Sequence, residues 1–240
     1  MDERAIQGQP AELPVALSHT GTPEPALADA RALTILTTEH WSLLTARSLV
    51  YNETFARAGM FLAFLSATLV GLGLVSTATG FSNTFLAIAA AVLAVDLFVG
   101  LATYGRVLAA NRESFRYLQG MNRLRHAYHE TVPGLERYFV SGHYDDARGV
   151  FGVAASAMVS APGTVHHFTT MPGMVSVVCA SVAAALGTDL ILLATGSGPL
   201  AALAGIAVVL LGIAASALVA SRGMRTLAAS IDSIFPTPAE

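Results

Sequence analysis

Four apolar runs, each about as long as a bilayer is thick, restrict the possible folds of this chain more than any other feature. They cover residues 58–78, 84–105, 172–195 and 199–221. A helix of ~20 apolar residues is long enough to cross the hydrocarbon core of a bilayer. Only 12% of all residues are charged, whereas a water-soluble domain of this length needs a more polar surface. The sequence therefore predicts an all-α integral membrane protein with four transmembrane helices.

Short uncharged turns connect these runs in pairs, which predicts two antiparallel transmembrane hairpins. Residues 79–83 separate the first run from the second, and residues 196–198 separate the third from the fourth. Arginine residues lie before the first run, after the second and after the fourth, and none lies in either turn. Since the positive-inside rule assigns arginine-rich segments to the cytoplasm, we expect both termini in the cytoplasm and both turns outside.

The basic residues also indicate the kind of cell. All 13 are arginine and none is lysine, which is typical of a GC-rich bacterial genome. We therefore expect a multi-pass protein of the bacterial inner (cytoplasmic) membrane. The net charge of -3 gives no reason to expect a nucleic-acid partner, and a single cysteine, Cys179, excludes an intrachain disulfide bond.

Five segments follow from this topology. Residues 1–28 are acidic and rich in proline, and we expect a disordered cytosolic tail there. Residues 29–132 comprise a cytosolic helix, the transmembrane hairpin 58–105 and a second cytosolic helix, which Pro133 ends. A cytosolic helical connector, the second hairpin and a cytosolic tail follow, at residues 133–171, 172–221 and 222–240.

The two cytosolic helices around the first hairpin are expected to pack side by side as a stalk. Residues 29–57 lack glycine and proline and carry two mostly apolar stripes at helical spacing. The first stripe comprises Leu33, Leu36, His40, Leu43, Val50 and Thr54, and the second comprises Trp41, Leu44, Ser48, Tyr51 and Phe55. Pairing residue 57 with residue 106 sets the register and brings Glu39 beside Arg123 and Arg125. We expect Trp41 and Tyr51 to pack within this stalk.

The order of cytosolic helix, two spans joined by a tight turn, and cytosolic helix over roughly residues 30–130 resembles SLATT-type two-span domains. Domains of that type are proposed pore-forming effectors in bacterial defence systems, so the resemblance implies a pore-forming membrane effector. The chain departs from that architecture by its second hairpin. The stretch RALTILTTEHWSLLTARSLVYNETFARAGMFLAFLS also looks like uncharacterised actinobacterial multi-span membrane proteins, a resemblance that implies no particular activity.

Asp96 is a charged residue in the middle of the second apolar run. A carboxylate at the bilayer centre costs ~2.5–3.5 kcal/mol, so we expect Asp96 to face the interior of the helix bundle. With a rise of ~1.5 Å per residue, Ser66 and Ser181 come to the same depth on neighbouring runs. Asp96 is then either an ion or proton site, or a protonated side chain that joins helices through hydrogen bonds.

Asp189 lies six residues from the outer end of the third run, nearer the membrane surface. If both aspartates point inward, they lie ~9 Å apart in depth, as a two-step route for a cation or proton requires. The alternative is a water-exposed carboxylate. Gly212 and Ser216 form a small-xxx-small pair, which favours close packing of helices within or between subunits.

Histidines provide a further candidate site. His126, His129 and Glu130 lie within one helical turn and a half, and His166 and His167 precede the third run. Imidazoles at such spacing bind Zn, Fe or Cu, and they titrate near neutral pH. A metal or pH-sensing site and solvated histidines are both compatible with this pattern.

We expect no enzymatic activity and no cofactor, because phosphate-binding, nucleophile-elbow and dinucleotide motifs are absent from the sequence. The leading hypothesis is an oligomeric channel-like or effector membrane assembly whose stalk senses or assembles. A non-conducting scaffold or partner-binding subunit is the alternative, and a membrane metalloenzyme that uses the histidines is a further one. The expected partners are the lipid bilayer, further copies of the chain, and a cytosolic protein at residues 29–57 and 106–130.

Overall fold

The computed structural model describes residues 30–156 and 170–238 of the chain, and its regular structure within these ranges is entirely helical. Within these ranges four long α-helices and one short α-helix follow each other: α1 Ala30–Thr79, α2 Asn83–Thr131, α3 Ala147–Ser156, α4 Met171–Thr195 and α5 Gly198–Ala229, with a 3-10 helix at Glu136–Tyr138 between α2 and α3. Helices α1, α2, α4 and α5 are long and apolar enough to cross a membrane. This confirms the all-helical prediction with four helices of spanning length. The predicted tail at residues 1–28 lies outside the described residues.

Residues at the helix ends explain where the long helices stop and start. Gly80 adopts a positive φ of 61° after α1, and Gly196 adopts a positive φ of 65° after α4, a conformation that glycine takes without a steric penalty. Ser82 caps α2 because its hydroxyl accepts a hydrogen bond from the Phe85 N–H. Thr170 caps α4 in the same way through the Gly173 N–H. The two short connections therefore have a local chemical basis.

Helices α1 and α2 pack against each other along most of their length. Tyr128 donates a hydrogen bond to the Leu36 carbonyl oxygen at 3.1 Å, and Arg106 pairs with Glu53 at 2.9 Å. Later residues of α1 thus meet earlier residues of α2, in the register expected from the pairing of residues 57 and 106. The expected ion pair of Glu39 with Arg123 or Arg125 is not formed among the described residues, however, because Arg123 pairs with Asp145 and Arg125 donates to the Asn122 side chain at 2.7 Å.

Helix α4 packs against α2, and α5 packs mainly against α4. The contact of α2 with α4 depends on Gly100, where an added Cβ atom would lie 2.8 Å from Phe61 and 2.9 Å from Cys179. At Gly212 of α5 an added Cβ atom would lie 2.9 Å from the Cβ of Ala180. The small residue at position 212 therefore serves close helix packing within the chain.

The remaining described segments pack at the end of α2 that lies farthest from the turn at Gly80. Val150 of α3 is fully buried in a cluster with Leu118 and Met121 of α2. Helix α5 continues to Ala229, and the segment 230–238 that follows is held against α2 and the start of α3. Residues 230–238 are therefore packed against the helices, whereas the sequence suggested a cytosolic tail at residues 222–240.

Candidate functional site

Asp96 is fully buried between helices, at 0% exposure. Its Oδ1 accepts one long hydrogen bond, at 3.4 Å, from the Thr68 hydroxyl of α1. Its Oδ2 has no hydrogen-bond partner among the described residues. One helical turn further along α2, Gly100 lies against α1 and α4. A buried carboxyl group with one oxygen unbonded can hold or release a proton.

The two serines expected beside Asp96 lie elsewhere. Ser66 is exposed and donates its hydroxyl hydrogen bond to the Leu62 carbonyl oxygen at 2.8 Å. Ser181 is also exposed and donates to the Val177 carbonyl oxygen at 3.0 Å. Thr68, the residue of α1 that contacts Asp96, lies two residues from Ser66 and therefore at nearly the same depth, but on a different face of the helix. Thr68 follows buried Phe61 by seven residues and therefore lies on the same face as Phe61.

Asp189 is half-buried and has no hydrogen bond or ion pair with the residues that the structure describes. A cavity of about 360 Å³ lies between α4 and α5 and is lined by its neighbour Thr188 together with Ala184 and Gly205. A second cavity, of about 400 Å³, lies against α1 and α2 beside Arg57 and Thr103. Neither aspartate lines either cavity. The expected common route between the two carboxylates stays a prediction.

The predicted histidines His126 and His129 come together with a third one, His143, at the C-terminal end of α2. The ring of His143 lies 4.6 Å from His129 and 5.6 Å from His126, centroid to centroid. Both nitrogens of His129 and Nδ1 of His126 are buried without a hydrogen-bond partner. Burial lowers the pKa of His143, and the adjacent His129 and His126 lower it further. These surroundings therefore favour the neutral form of the His143 imidazole.

Carboxylates border this histidine cluster. Glu130 lies 3.5 Å from His126, and Glu136 lies 3.7 Å from His129. No group of three or more potential ligands within residues 30–156 and 170–238 is arranged to hold a metal ion. His166 and His167 lie outside the described residues. The sequence did not point to His143, because a loop after Pro133 separates it from the other two.

Asp145 is a second fully buried carboxylate, which the sequence did not single out. It accepts hydrogen bonds from Arg123 at 2.6 Å, from Ser233 at 2.7 Å, and from the backbone N–H groups of Ile234 and Phe235 at 3.0 and 2.7 Å. Burial alone would raise the pKa of Asp145, but these bonds outweigh it and lower the pKa to about 2. Asp145 thus fastens the segment after α5 to α2, where Phe235 also stacks on His126 at 3.9 Å.

Comparisons with protein-family models, with curated proteins and with solved structures give no match for this chain. The resemblances to SLATT-type domains and to actinobacterial multi-span proteins therefore stay predictions. The inference about function depends on the chain's own residues, and Asp96 is the most unusual of them.

Proposed function

We propose that the protein is a multi-pass protein of the bacterial inner membrane that forms an oligomeric, channel-like or effector assembly. In this proposal α1, α2, α4 and α5 cross the membrane as two hairpins, with both termini in the cytoplasm. The cytosolic parts of α1 and α2 form the stalk that assembles the protein or senses a signal. Asp96 is the group that takes up and releases a proton inside the membrane. We propose no enzymatic activity and no cofactor.

The topology is supported by the charges around the long helices. Arginine residues that flank the proposed spans lie at their stalk ends: Arg47, Arg57, Arg106, Arg112, Arg116, Arg222 and Arg225. The turns at the opposite ends carry no charge. This asymmetry corresponds to the positive-inside rule.

The proton site is supported by the incomplete bonding of Asp96. A serine or an asparagine at this position could keep the hydrogen bond with Thr68 without an ionisable group. An aspartate in the middle of a span costs ~2.5–3.5 kcal/mol, and ionisable residues in that position commonly serve transport or proton transfer. The free Oδ2 of Asp96 leaves a proton acceptor where a purely structural carboxylate would be fully bonded.

We propose that the conduction path involves more than one copy of the chain. Neither of the two cavities described above includes Asp96. Much of the surface of α1 and α5 is also unburied, since only 17% and 11% of their most apolar windows are buried inside the chain. Contacts between copies are therefore part of the proposal.

Proton flux into liposomes that contain the purified full chain tests the role of Asp96. We expect the wild type to conduct and Asp96→Asn to lower the flux by about a hundredfold, the order that a positioned proton-transfer group contributes. Glu39→Gln is the control, because it makes the same charge change at an exposed carboxylate outside the proposed spans. Equal flux in the wild type and in Asp96→Asn would contradict the proton site.

One observation favours a second candidate, a non-conducting scaffold or partner-binding subunit. Gln119 and Arg123 of α2 donate hydrogen bonds to the Asp232 carbonyl oxygen and so tie the end of α5 to the stalk. This attachment of residues 230–238 to α2, called the clasp below, is compatible with a rigid scaffold as well as with a gated channel. Absence of flux at several pH values and salts would favour the scaffold, with a protonated Asp96 joining α1 and α2.

A further inference from the structure

Helix α1 carries a second apolar face beside the one that packs on α2, and most of the large side chains on this second face are exposed among the described residues. This outer face of the stalk is defined by Trp41, Leu44, Ser48, Tyr51 and Phe55, which follow each other at spacings of three and four residues. Trp41 is 65% exposed, Phe55 61%, Leu44 42% and Tyr51 37%. The expectation that Trp41 and Tyr51 pack within the stalk is therefore wrong for Trp41, whereas the Tyr51 hydroxyl does accept a hydrogen bond from Ser114 of α2 at 3.0 Å.

Lipid cannot cover most of this outer face. The proposed span begins at Ala58, and Trp41 lies 17 residues before it, which is ~25 Å along a helix. The headgroup layer on each side of a bilayer is only ~5–8 Å thick. Trp41 and Leu44 are thus in water, where large apolar side chains are unfavourable unless another surface covers them.

The same face continues into the proposed span. Gly59, Leu62, Ser66, Leu69 and Gly73 extend the spacing of three and four residues, and all five are exposed. A Cβ atom added at Gly59 or Gly73 would meet nothing within 4 Å, whereas one added at Gly212 would meet α4. Glycine inside a helix costs ~0.8–1.0 kcal/mol relative to alanine, and nothing within the described chain compensates for it at Gly59 and Gly73.

We propose that the outer face of the stalk pairs with the same face of a second copy of this chain, with the two α1 helices parallel. This inference rests on the proposed membrane assembly, because two copies in one membrane with one orientation bring equal residues of α1 to the same level. None of the five positions of the face is charged, so identical copies do not repel each other there. Spacings of three and four residues are those of helices that pack along their length.

The available area is sufficient for such a pair. With ~200 Å² per large side chain, the exposed fractions of the four large stalk residues give roughly 400 Å² per copy. Leu62 and Leu69, at 48% and 57% exposure, continue the face along the span. They raise the total to roughly 600 Å² per copy, or about 1,200 Å² per pair, which is the lower end of specific interfaces. Anchoring in a shared membrane also raises the effective concentration of the two faces.

Cysteine cross-linking of the full chain in native membranes tests this pairing. The single native cysteine, Cys179, is buried and is first replaced by alanine. Ser48→Cys then places a thiol at the centre of the outer face. Ser42→Cys is the matched control, because Ser42 is also an exposed serine of the stalk but lies about 120° around the helix. We expect mild oxidation to convert Ser48→Cys into a covalent dimer about tenfold more than Ser42→Cys.

A second pair of variants shows whether the apolar side chains cause the pairing. Trp41→Glu in the Ser48→Cys background should abolish the covalent dimer, whereas Ile35→Glu, at a 67% exposed apolar residue outside the face, should leave it. Equal cross-linking at positions 48 and 42 would overturn the proposal. A monomeric Ser48→Cys would also overturn it, and would point to coverage by another segment of the same chain or by a different protein.

The cross-linking experiment tests the pairing of α1 separately from proton conduction. Cross-linking at position 48 without proton flux would keep the α1 pairing and remove the channel-like function. Proton flux without cross-linking at position 48 would overturn the pairing and leave the proton site standing.

Discussion

Asp96 and Asp145 are both at 0% exposure, yet their surroundings differ completely. Asp145 accepts four hydrogen bonds, including one from a guanidinium group, whereas Asp96 accepts a single one of 3.4 Å. Burial alone therefore does not separate a structural carboxylate from a candidate functional one. A carboxylate that stabilises the fold is saturated with donors, and a carboxylate that must exchange a proton keeps a free oxygen.

Asp145→Ala should have the largest effect on stability. The substitution leaves Ser233, two backbone N–H groups and the partly exposed guanidinium group of Arg123 without their acceptor, and each buried donor left unpaired costs ~1–3 kcal/mol. Thermal or denaturant unfolding of the purified full chain measures this change. We also expect proteolysis within residues 230–238 to become faster, because this segment loses its attachment.

Asp146→Ala is the control for that prediction. Asp146 is only half-buried and accepts hydrogen bonds from the Thr237 hydroxyl and from the Gly149 N–H, each at 2.8 Å. Its loss should cost ~1 kcal/mol. Equal destabilisation by the two substitutions would show that Asp145 has no special role in the clasp.

Acid should release the same clasp. The pKa of Asp145 is lowered from 3.8 to about 2, so its contribution is complete above pH 4 and is lost as the pH falls towards 2. This lowering of the pKa corresponds to a contribution of about 2 kcal/mol to the free energy of unfolding. Protease accessibility of residues 230–238 between pH 5 and 2 would measure it. In Asp145→Asn the acid-dependent step should be absent, and its persistence there would assign the transition to other groups.

The sequence predicted some parts of this structure well and others poorly, for physical reasons. Membrane-length apolar runs and short turns depend on local composition, so the four long helices and the register of α1 on α2 could be predicted. Asp96 was found because a charge in an apolar run is conspicuous. Thr68 could have been found from its seven-residue spacing from Phe61, a signal that depth alone omits.

Asp145 and His143 could not be found in the same way. Both lie in a loop after Pro133, where no periodicity relates a residue to a distant helix. Their partners come from α2 and from the segment after α5, which is almost 90 residues away from Asp145 at Ser233. Such contacts depend on tertiary packing, and they cannot be predicted from the pattern of a single sequence.

Asp96→Asn should have the smallest effect on stability, even though we expect it to have the largest effect on proton flux. The amide oxygen of asparagine can still accept the hydrogen bond from Thr68, and the change removes a group that is costly to ionise in an apolar surrounding. We expect the free energy of unfolding to change by less than about 1 kcal/mol in either direction. Asp145→Asn, the same chemical change at the saturated site, should be clearly more destabilising because it loses a charged partner of Arg123. If Asp96→Asn destabilised the chain as much as Asp145→Asn, the single bond to Thr68 would be only part of what holds Asp96, and its carboxylate would have to be regarded as structural.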